Sequence, residues 1–94
     1  MIRSFRCSDM ERLANDERTG AFSTSLQKAG RRKLALLDTA TSLNDLRSPP
    51  GNRLEKLTGD RDGQHSIRIN DRFRLCFRWI DGYAYDVEIT DYHD

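Results

Sequence analysis

The hydrophobic pattern of the chain changes half-way along, from a spacing of three and four residues to strict alternation. Residues 26–41 carry the first pattern, with apolar side chains at Leu26, Ala29, Leu34, Leu37 and Ala40. This spacing places them on one face of a helix, and Lys28, Arg31 and Arg32 fall mostly off that apolar face. We therefore predict an amphipathic helix over this segment.

Shorter elements flank this helix on both sides. Residues 2–5 predict a short first strand, and Ser8 followed three residues later by Glu11 is a capping-box pattern that predicts a first helix. Residues 42–46 predict one further helical turn. The Ser-Pro-Pro-Gly sequence at residues 48–51 ends the helical part, because proline has no amide donor and restricts the residue before it.

The second half of the chain predicts four strands. Residues 53–57 and 64–70 have the pattern of a hairpin, and residues 72–79 and 83–90 alternate apolar with polar side chains on either side of an Asp81-Gly82 turn. Consecutive short strands joined by turns predict an antiparallel meander. In the last strand, alternation places on one face the side chains of Tyr83, Tyr85, Val87 and Ile89.

The length of the chain limits its organisation. It has 94 residues, 36% of them hydrophobic and 33% charged, which is enough for one core and predicts a single domain over residues 1–94. Early helices and late strands predict an α+β fold, with the N-terminal helices packed on a twisted antiparallel sheet. The sequence shows neither a signal-peptide pattern nor an apolar run that spans a bilayer, so we expect a cytoplasmic protein without membrane contact.

The net charge of +1 hides an uneven distribution of charge. If the apolar side chains of the predicted strand at residues 72–79 face the helices, the arginines between them face the opposite side of the sheet, which we call the open face. We predict that this face and its edge gather cations that bind phosphate groups. These cations are Arg53, Lys56, Arg61, Arg68, Arg72, Arg74 and Arg78. The alternative is a solvated face whose arginines pair with Asp86 and Glu88 on the neighbouring strand.

The C-terminal residues Asp91, Tyr92 and His93 bring a carboxylate, a phenol and an imidazole close together. Metal-free RNA cleavage needs one proton taken from the ribose 2′-hydroxyl, one given to the leaving 5′-oxygen, and a cation beside the phosphate. Histidine suits either proton transfer, arginine suits the phosphate charge, and tyrosine can stack on a base. The alternative is a polar tail without chemistry.

Other candidate residues have structural interpretations. His65 shares the apolar side of its strand and is expected to cap the core or contact a partner, and the aromatic residues of the third strand are expected in the core. Cys7 and Cys76 lack zinc-ligand spacing, and we expect both to be buried or inert thiols. The sequence has no metal-ligand spacing and no phosphate-binding glycine loop, so no metal and no cofactor is predicted.

Two stretches carry a family resemblance, NRLEKLTGDRDGQHSIRINDRFRLCFRW and the later VEITDYH. Together with the opening MIRSF and the helix sequence RKLALLDTAT, they resemble the HigB branch of the RelE/ParE-type toxins over nearly the entire chain. The L-x-G-D-R-x-G turn, the R-L-x-F strand and the terminal D-Y-H are the diagnostic parts.

This resemblance implies a function and a set of partners. It implies the toxin of a type II toxin-antitoxin system, an endoribonuclease that cleaves messenger RNA on the ribosome. It also implies a HigA-like helix-turn-helix antitoxin, through which alone operator DNA is bound. Carried over to this sequence, the catalytic residues are Arg74, Asp91, Tyr92 and His93.

The sequence departs from the family at two positions. Relatives of the founding HigB toxin carry a histidine and a lysine where Glu55 and Thr58 stand here. A carboxylate at position 55 repels phosphate, so we expect slower or differently specific cleavage, with Lys56 or Arg53 as candidate replacements for the lost positive charge. The alternative functions are a ParE-like, non-nuclease inhibitor of DNA gyrase and a binding-only regulatory module.

Overall fold

The computed structural model describes residues 1–91 of the chain. Two helices come first, α1 over Ser8–Ala14 and α2 over Thr24–Thr39. Three short 3-10 turns follow at intervals, over Leu43–Arg47, Pro50–Asn52 and Gly59–Arg61. The four strands are β1 Glu55–Lys56, β2 Gln64–Arg68, β3 Phe73–Ile80 and β4 Tyr83–Asp91. From residue 8 onward, the predicted order of helices and strands is confirmed.

The strands form one antiparallel sheet in the order β1-β2-β3-β4, which is the predicted meander. β1 is only two residues long, shorter than predicted, and β3 is the central strand with the longest pairings. Its residue Leu75 lies opposite Ile67 on β2 and Ile89 on β4. This register sets which side chains share a face of the sheet.

The core lies between the two helices and one face of the sheet. From α1 and α2 it receives mainly leucine and methionine side chains, and from the strands it receives isoleucine, leucine, phenylalanine and valine. Its fully buried members are Met10, Leu13, Leu37, Leu46, Ile67, Leu75, Phe77, Ala84 and Val87. Phe73 and Trp79 pack against it and are partly exposed. The α+β class and the packing of helices on the sheet are therefore as predicted.

Residues 2–5 do not form a continuous strand. Instead, two isolated parallel bridges join Ile2 to Ala84 and Phe5 to Val87. Between them, the amide of Asp86 donates to the Ser4 hydroxyl at 2.9 Å and not to a backbone carbonyl. The predicted first strand is thus interrupted because the facing part of β4 is irregular.

That irregularity is a bulge in β4 at Asp86. The pairing of β3 with β4 shifts between Cys76 and Arg78, and Asp86 adopts a left-handed φ of 54°. An extra residue in one strand reverses the alternation that follows it. The prediction that Tyr83 and Tyr85 share a face with Val87 is therefore wrong, because both tyrosines lie on the open face.

Helix caps differ in part from the prediction. α1 begins at Ser8 itself, with Cys7 at the cap position and no side-chain hydrogen bond there, so the predicted Ser8 cap is wrong. α2 begins after Ser23, whose hydroxyl accepts from the Leu26 amide at 3.2 Å. Within the described residues, no helix is long and apolar enough to cross a membrane.

A buried asparagine links the segment before β1 to α2. Asn52 is 0% exposed, and its Nδ2 donates to the carbonyl oxygens of Leu46 at 3.2 Å and Ser48 at 3.3 Å. Its Oδ1 accepts from Nζ of Lys33 at 2.5 Å. These three contacts fix the backbone that leads into Arg53 and the edge of the sheet.

Candidate functional site

Arg74 lies in the middle of the sheet on the open face. Its Cα neighbours are Arg68 on β2 and Thr90 on β4. Arg74 is only 8% exposed, although it points away from the helices. Alternation predicts its face, but the burial of its side chain comes from neighbouring segments that the sequence pattern does not reveal.

Three hydrogen bonds hold the guanidinium of Arg74. Nε donates to the hydroxyl of Ser66 at 2.7 Å, and Nη2 donates to the carbonyl oxygens of Arg53 at 2.5 Å and Ser66 at 3.4 Å. Ser66 is itself fully buried. Among residues 1–91, no group accepts a hydrogen bond from Nη1 of Arg74, so the N–H groups of Nη1 remain for a ligand.

Glu55 lies at the edge of this arrangement. Its Oε2 is 3.9 Å from Nη2 of Arg74, and the Glu55 side chain is 52% exposed. This is the carboxylate that stands where the family resemblance implies a histidine. It faces the buried arginine directly, so an anion that approaches Arg74 also meets Glu55.

Other arginines of the open face and its edge pair with carboxylates. Each of four arginines has an acidic partner within the described residues. The pairs are Arg61 with Glu88 at 2.8 Å, Arg68 with Asp71, Arg72 with Asp91 at 2.7 Å, and Arg78 with Asp86 at 3.7 Å. The alternative pairing with Asp86 and Glu88 is therefore present for Arg78 and Arg61, whereas Arg68 pairs with Asp71 in the turn after β2 and Arg72 with Asp91 at the end of β4.

Asp91 ends β4 beside Arg72. Nε of Arg72 donates to Oδ2 of Asp91 at 2.9 Å, and Nη2 lies 2.7 Å from the same oxygen in an ion pair. The hydrogen bond and the charge of Asp91 raise the pKa of Arg72 above its ordinary value. The register places Asp91 opposite Phe73, and places Thr90 opposite Arg74. Asp91 is therefore held at the end of the sheet by Arg72.

Arg78 and Tyr85 lie opposite each other at the other end of the open face. The Arg78 guanidinium passes over Gly63, where an added Cβ would be only 2.9 Å from Nη1. Gly63 has a φ of +89°, a conformation that favours glycine, and the absence of a Cβ there leaves room for the Arg78 guanidinium. Alternation alone assigned Tyr85 to the core, and only the bulge at Asp86 reveals it as a residue of this face.

Lys56 and His65 face each other across β1 and β2. Lys56 is exposed, whereas His65 is half-buried and stacks on Phe77 with ring centroids 6.3 Å apart. Nδ1 of His65 is buried without a hydrogen-bond partner among residues 1–91. Burial, and secondarily the charge of Lys56, lower the pKa of His65. His65 is thus a core-edge residue.

Tyr92 and His93, the other two predicted catalytic residues, lie outside the described residues.

Of the two cysteines, Cys7 is exposed and Cys76 is buried, and both are free thiols. Burial raises the pKa of the Cys76 thiol. No cluster of three metal-ligating side chains is found in the described part of the chain.

Comparison with known proteins decides the family. A family profile described as "RelE-like toxin of type II toxin-antitoxin system HigB" matches residues 3–93. The chain belongs to the HigB-like toxin family. This membership makes it a toxin of a type II system, with an antitoxin as its partner.

Two named relatives support this assignment of the HigB-like toxin. Toxin HigB-1 of Vibrio cholerae is 47% identical over 70 residues, 74% of each chain. Endoribonuclease HigB of Proteus vulgaris is 31% identical over 93 residues, which are 99% of this chain and 100% of the relative.

Solved structures confirm the RelE-like fold. YafQ from E. coli strain BL21(DE3) superposes with a TM-score of 0.63 at 13% identity, over 97% of this HigB-like toxin and 93% of YafQ. The YoeB dimer from Staphylococcus aureus gives a TM-score of 0.60 at 18% identity, over 99% and 98% of the two chains. At these identities, the likeness concerns the fold alone.

Proposed function

We propose that this HigB-like toxin is an endoribonuclease that cleaves messenger RNA on the ribosome and thereby inhibits translation and growth. The observation that carries the proposal is the buried Arg74, whose guanidinium is held in place with Nη1 left for a ligand. A fixed cation is what a developing phosphoryl charge requires. The relative from Proteus vulgaris, named an endoribonuclease, matches over almost the full length.

In the proposed reaction, the ribose 2′-oxygen attacks the adjacent phosphorus while the bond from phosphorus to the 5′-oxygen breaks. One proton leaves the 2′-hydroxyl and another reaches the 5′-oxygen. His93 serves as one of these proton-transfer groups, and Arg74 stabilises the charge on the phosphoryl oxygens. Tyr92 stacks on a base or donates a hydrogen bond to phosphate. No metal or cofactor takes part in this proposal.

Asp91 supplies the carboxylate of the proposed site. Its ion pair with Arg72 fixes the end of β4, directly before Tyr92 and His93 in the sequence. A carboxylate accepts hydrogen bonds and can orient a neighbouring imidazole. We therefore assign Asp91 a role in positioning the terminal residues.

The remaining cations of the open face and its edge bind the RNA backbone in this proposal. These are Arg53, Lys56, Arg61, Arg68, Arg72 and Arg78. Arg72 and Arg78 are exposed in their ion pairs, with 65% and 41% of the side chains accessible. Exposed ion pairs are weak and screened by salt, so phosphate oxygens can replace the carboxylates as partners.

The proposed partners are the ribosome with its messenger RNA, and a HigA-like helix-turn-helix antitoxin in the cytoplasm. Operator DNA is bound only through this antitoxin.

We expect the antitoxin to contact the helical and edge-strand surface, where Lys28 and Arg32 are exposed. Arg31 also belongs to this surface, but its guanidinium donates to the Leu13 and Glu17 carbonyl oxygens at 3.2 Å each. Reversal of charge at Lys28 and Arg32 together should weaken the complex without loss of cleavage, and unchanged affinity would contradict this contact surface.

A cleavage assay tests the proposed activity. Purified toxin is added to one transcript, either free or translated by programmed ribosomes, and cuts are mapped by primer extension. We expect discrete cuts in the translated message and little cleavage of free RNA, because the ribosome orients the substrate. Intact messages together with inhibited DNA gyrase would overturn the proposal. Efficient cleavage of free RNA would overturn only the proposed dependence on the ribosome.

A further inference from the structure

Ser66 is a buried hydroxyl in an unusual position for a sheet residue. It lies on the open face of β2, between Glu55 on β1 and Cys76 on β3, and it is 0% exposed. Burial of a hydroxyl is unfavourable unless it is hydrogen-bonded. Its Oγ accepts from Nε of Arg74 at 2.7 Å, so this hydroxyl is bonded to the arginine of the proposed site.

Arg53 provides the second contact that orients Arg74. It follows a 3-10 turn in a left-handed conformation, with a φ of 45°, and its carbonyl oxygen accepts from Nη2 of Arg74 at 2.5 Å. The backbone that carries this carbonyl is held in turn by the hydrogen bonds of the neighbouring buried residue Asn52. Two segments therefore hold the guanidinium by hydrogen bonds: the Ser66 side chain on β2 and the backbone carbonyl of Arg53 before β1.

These contacts use the donors of Arg74 unevenly. The N–H of Nε and those of Nη2 point to protein acceptors, and Nη1 donates to no described residue. Arginine has five N–H donors in a rigid plane, so fixing two of its nitrogens also fixes the direction of the third. A phosphate oxygen would therefore meet Arg74 through Nη1 alone, without a two-pronged contact.

We propose that Ser66 is a positioning residue of the proposed nuclease site, which acts by holding Arg74 so that Nη1 faces the scissile phosphate. The inference rests on the proposed function of Arg74. Because Ser66 acts through the arginine, its removal reduces the cleavage step and leaves ribosome binding intact. Hydrogen bonds to charged groups are worth enough to expect a loss of about tenfold to a hundredfold in rate.

The test is a double-mutant cycle with Ser66→Ala and Arg74→Ala in single-turnover cleavage on programmed ribosomes. Arg74→Ala alone should reduce the rate on the order of a hundredfold to a thousandfold. Ser66→Ala should reduce the rate in the presence of Arg74 and change it by less than about twofold in the Arg74→Ala background, because the effect of one residue acting through another disappears with it. Equal losses in both backgrounds would mean a merely structural role and overturn the proposal, as would no loss in either.

Two further variants control for folding. Cys76→Ala removes a side-chain atom from the equally buried Cα neighbour of Ser66 and should keep nearly full activity. Ser66→Thr keeps the hydroxyl and should recover most of the rate that Ser66→Ala loses. If Ser66→Ala does not fold, Ser66→Thr and Cys76→Ala provide the test. A folded Ser66→Thr variant that loses as much cleavage as Arg74→Ala would refute positioning by the hydroxyl.

A measurement without RNA separates this inference from the proposed activity. The Nε–H of Arg74 should give a nuclear magnetic resonance signal with slow hydrogen exchange, because it is buried and bonded to Ser66. Ser66→Ala should speed that exchange and Cys76→Ala should not. An unprotected Nε–H in the unmodified toxin would overturn the inference, whereas failure of the toxin to cut any message would overturn the proposed function while leaving this contact in place.

Discussion

Arg72 and Asp91 join the start of β3 to the end of β4, through a hydrogen bond from Nε and an ion-pair contact of Nη2 with the same carboxylate oxygen. This pair lies directly before Tyr92 and His93 in the sequence. It makes the position of Asp91 a property of the sheet, so the carboxylate is not part of a loose tail. Whether that position serves cleavage is open to direct measurement.

Asp91→Asn should keep the fold and reduce cleavage on the order of a hundredfold, the lower part of the range for positioned acid-base groups. The neutral amide holds Arg72 less strongly and orients an imidazole less well. The matched control is Asp86→Asn, which weakens the exposed pair with Arg78, and asparagine tolerates the left-handed φ at position 86. Equal single-turnover rates for the two variants would argue against a special role of Asp91.

His93→Gln should fold, bind antitoxin and bind ribosomes, yet lose roughly a hundredfold to ten-thousandfold of the cleavage rate. Glutamine keeps much of the shape of histidine but cannot take up a proton at neutral pH. Growth inhibition should be lost with cleavage. The decisive comparison is a chain shortened by residues 92–94: toxicity as strong as that of the full chain would show that the C-terminal residues form only a polar tail.

Asn52→Ala should lower the free energy of unfolding by about 1–3 kcal/mol, because it leaves buried polar groups without partners. The groups affected are the carbonyl of Leu46 and the ammonium of Lys33. Burial, with the charge of Arg68, already lowers the pKa of Lys33, so loss of its acceptor is costly. Urea denaturation measures the effect, and Asn44→Ala, at an exposed position nearby, should leave stability unchanged.

The sheet and the longer helix could be predicted from the sequence because their hydrophobic periods are unbroken. α2 and the strand β3 follow periods of 3.6 and 2 residues, and each period fixes a buried face. The face of Arg74 follows from the same alternation. These parts depend only on local spacing.

The remaining features depend on contacts between distant segments. The bulge at Asp86 has no strong local signal, so the face of Tyr85 was predicted wrongly. The burial of Arg74 depends on Ser66 and on the backbone of Arg53, twenty-one residues away in sequence. The ion pairs of Arg61, Arg72 and Arg78 depend on the positions of these arginines relative to the acidic strand β4.

Acid should destabilise the fold through His65. Burial and the charge of Lys56 lower the pKa of His65 below its ordinary value of 6.5, so the unfolded chain takes up a proton more readily than the folded chain. Stability is then unaffected by His65 above pH 6.5 and falls as the pH drops from there towards the lowered pKa. His65→Phe, which keeps a ring against Phe77, should flatten this part of the curve of unfolding free energy against pH. Identical acid slopes in both proteins would show that other groups cause the loss.

The bulge at Asp86 divides β4 into two parts that differ in which residues face the core. Before it, even-numbered residues such as Ala84 point inward, and after it odd-numbered residues such as Val87 do. Loss of the bulge with every residue kept would bring Tyr83 and Tyr85 into the interior and expel Ala84, whereas deletion of Asp86 itself would leave all three on their present sides, because the remaining residues then alternate regularly. The outer surface near Arg78 can therefore diversify during evolution independently of the hydrophobic centre, as long as residue 86 stays outside the regular pairing of the strands.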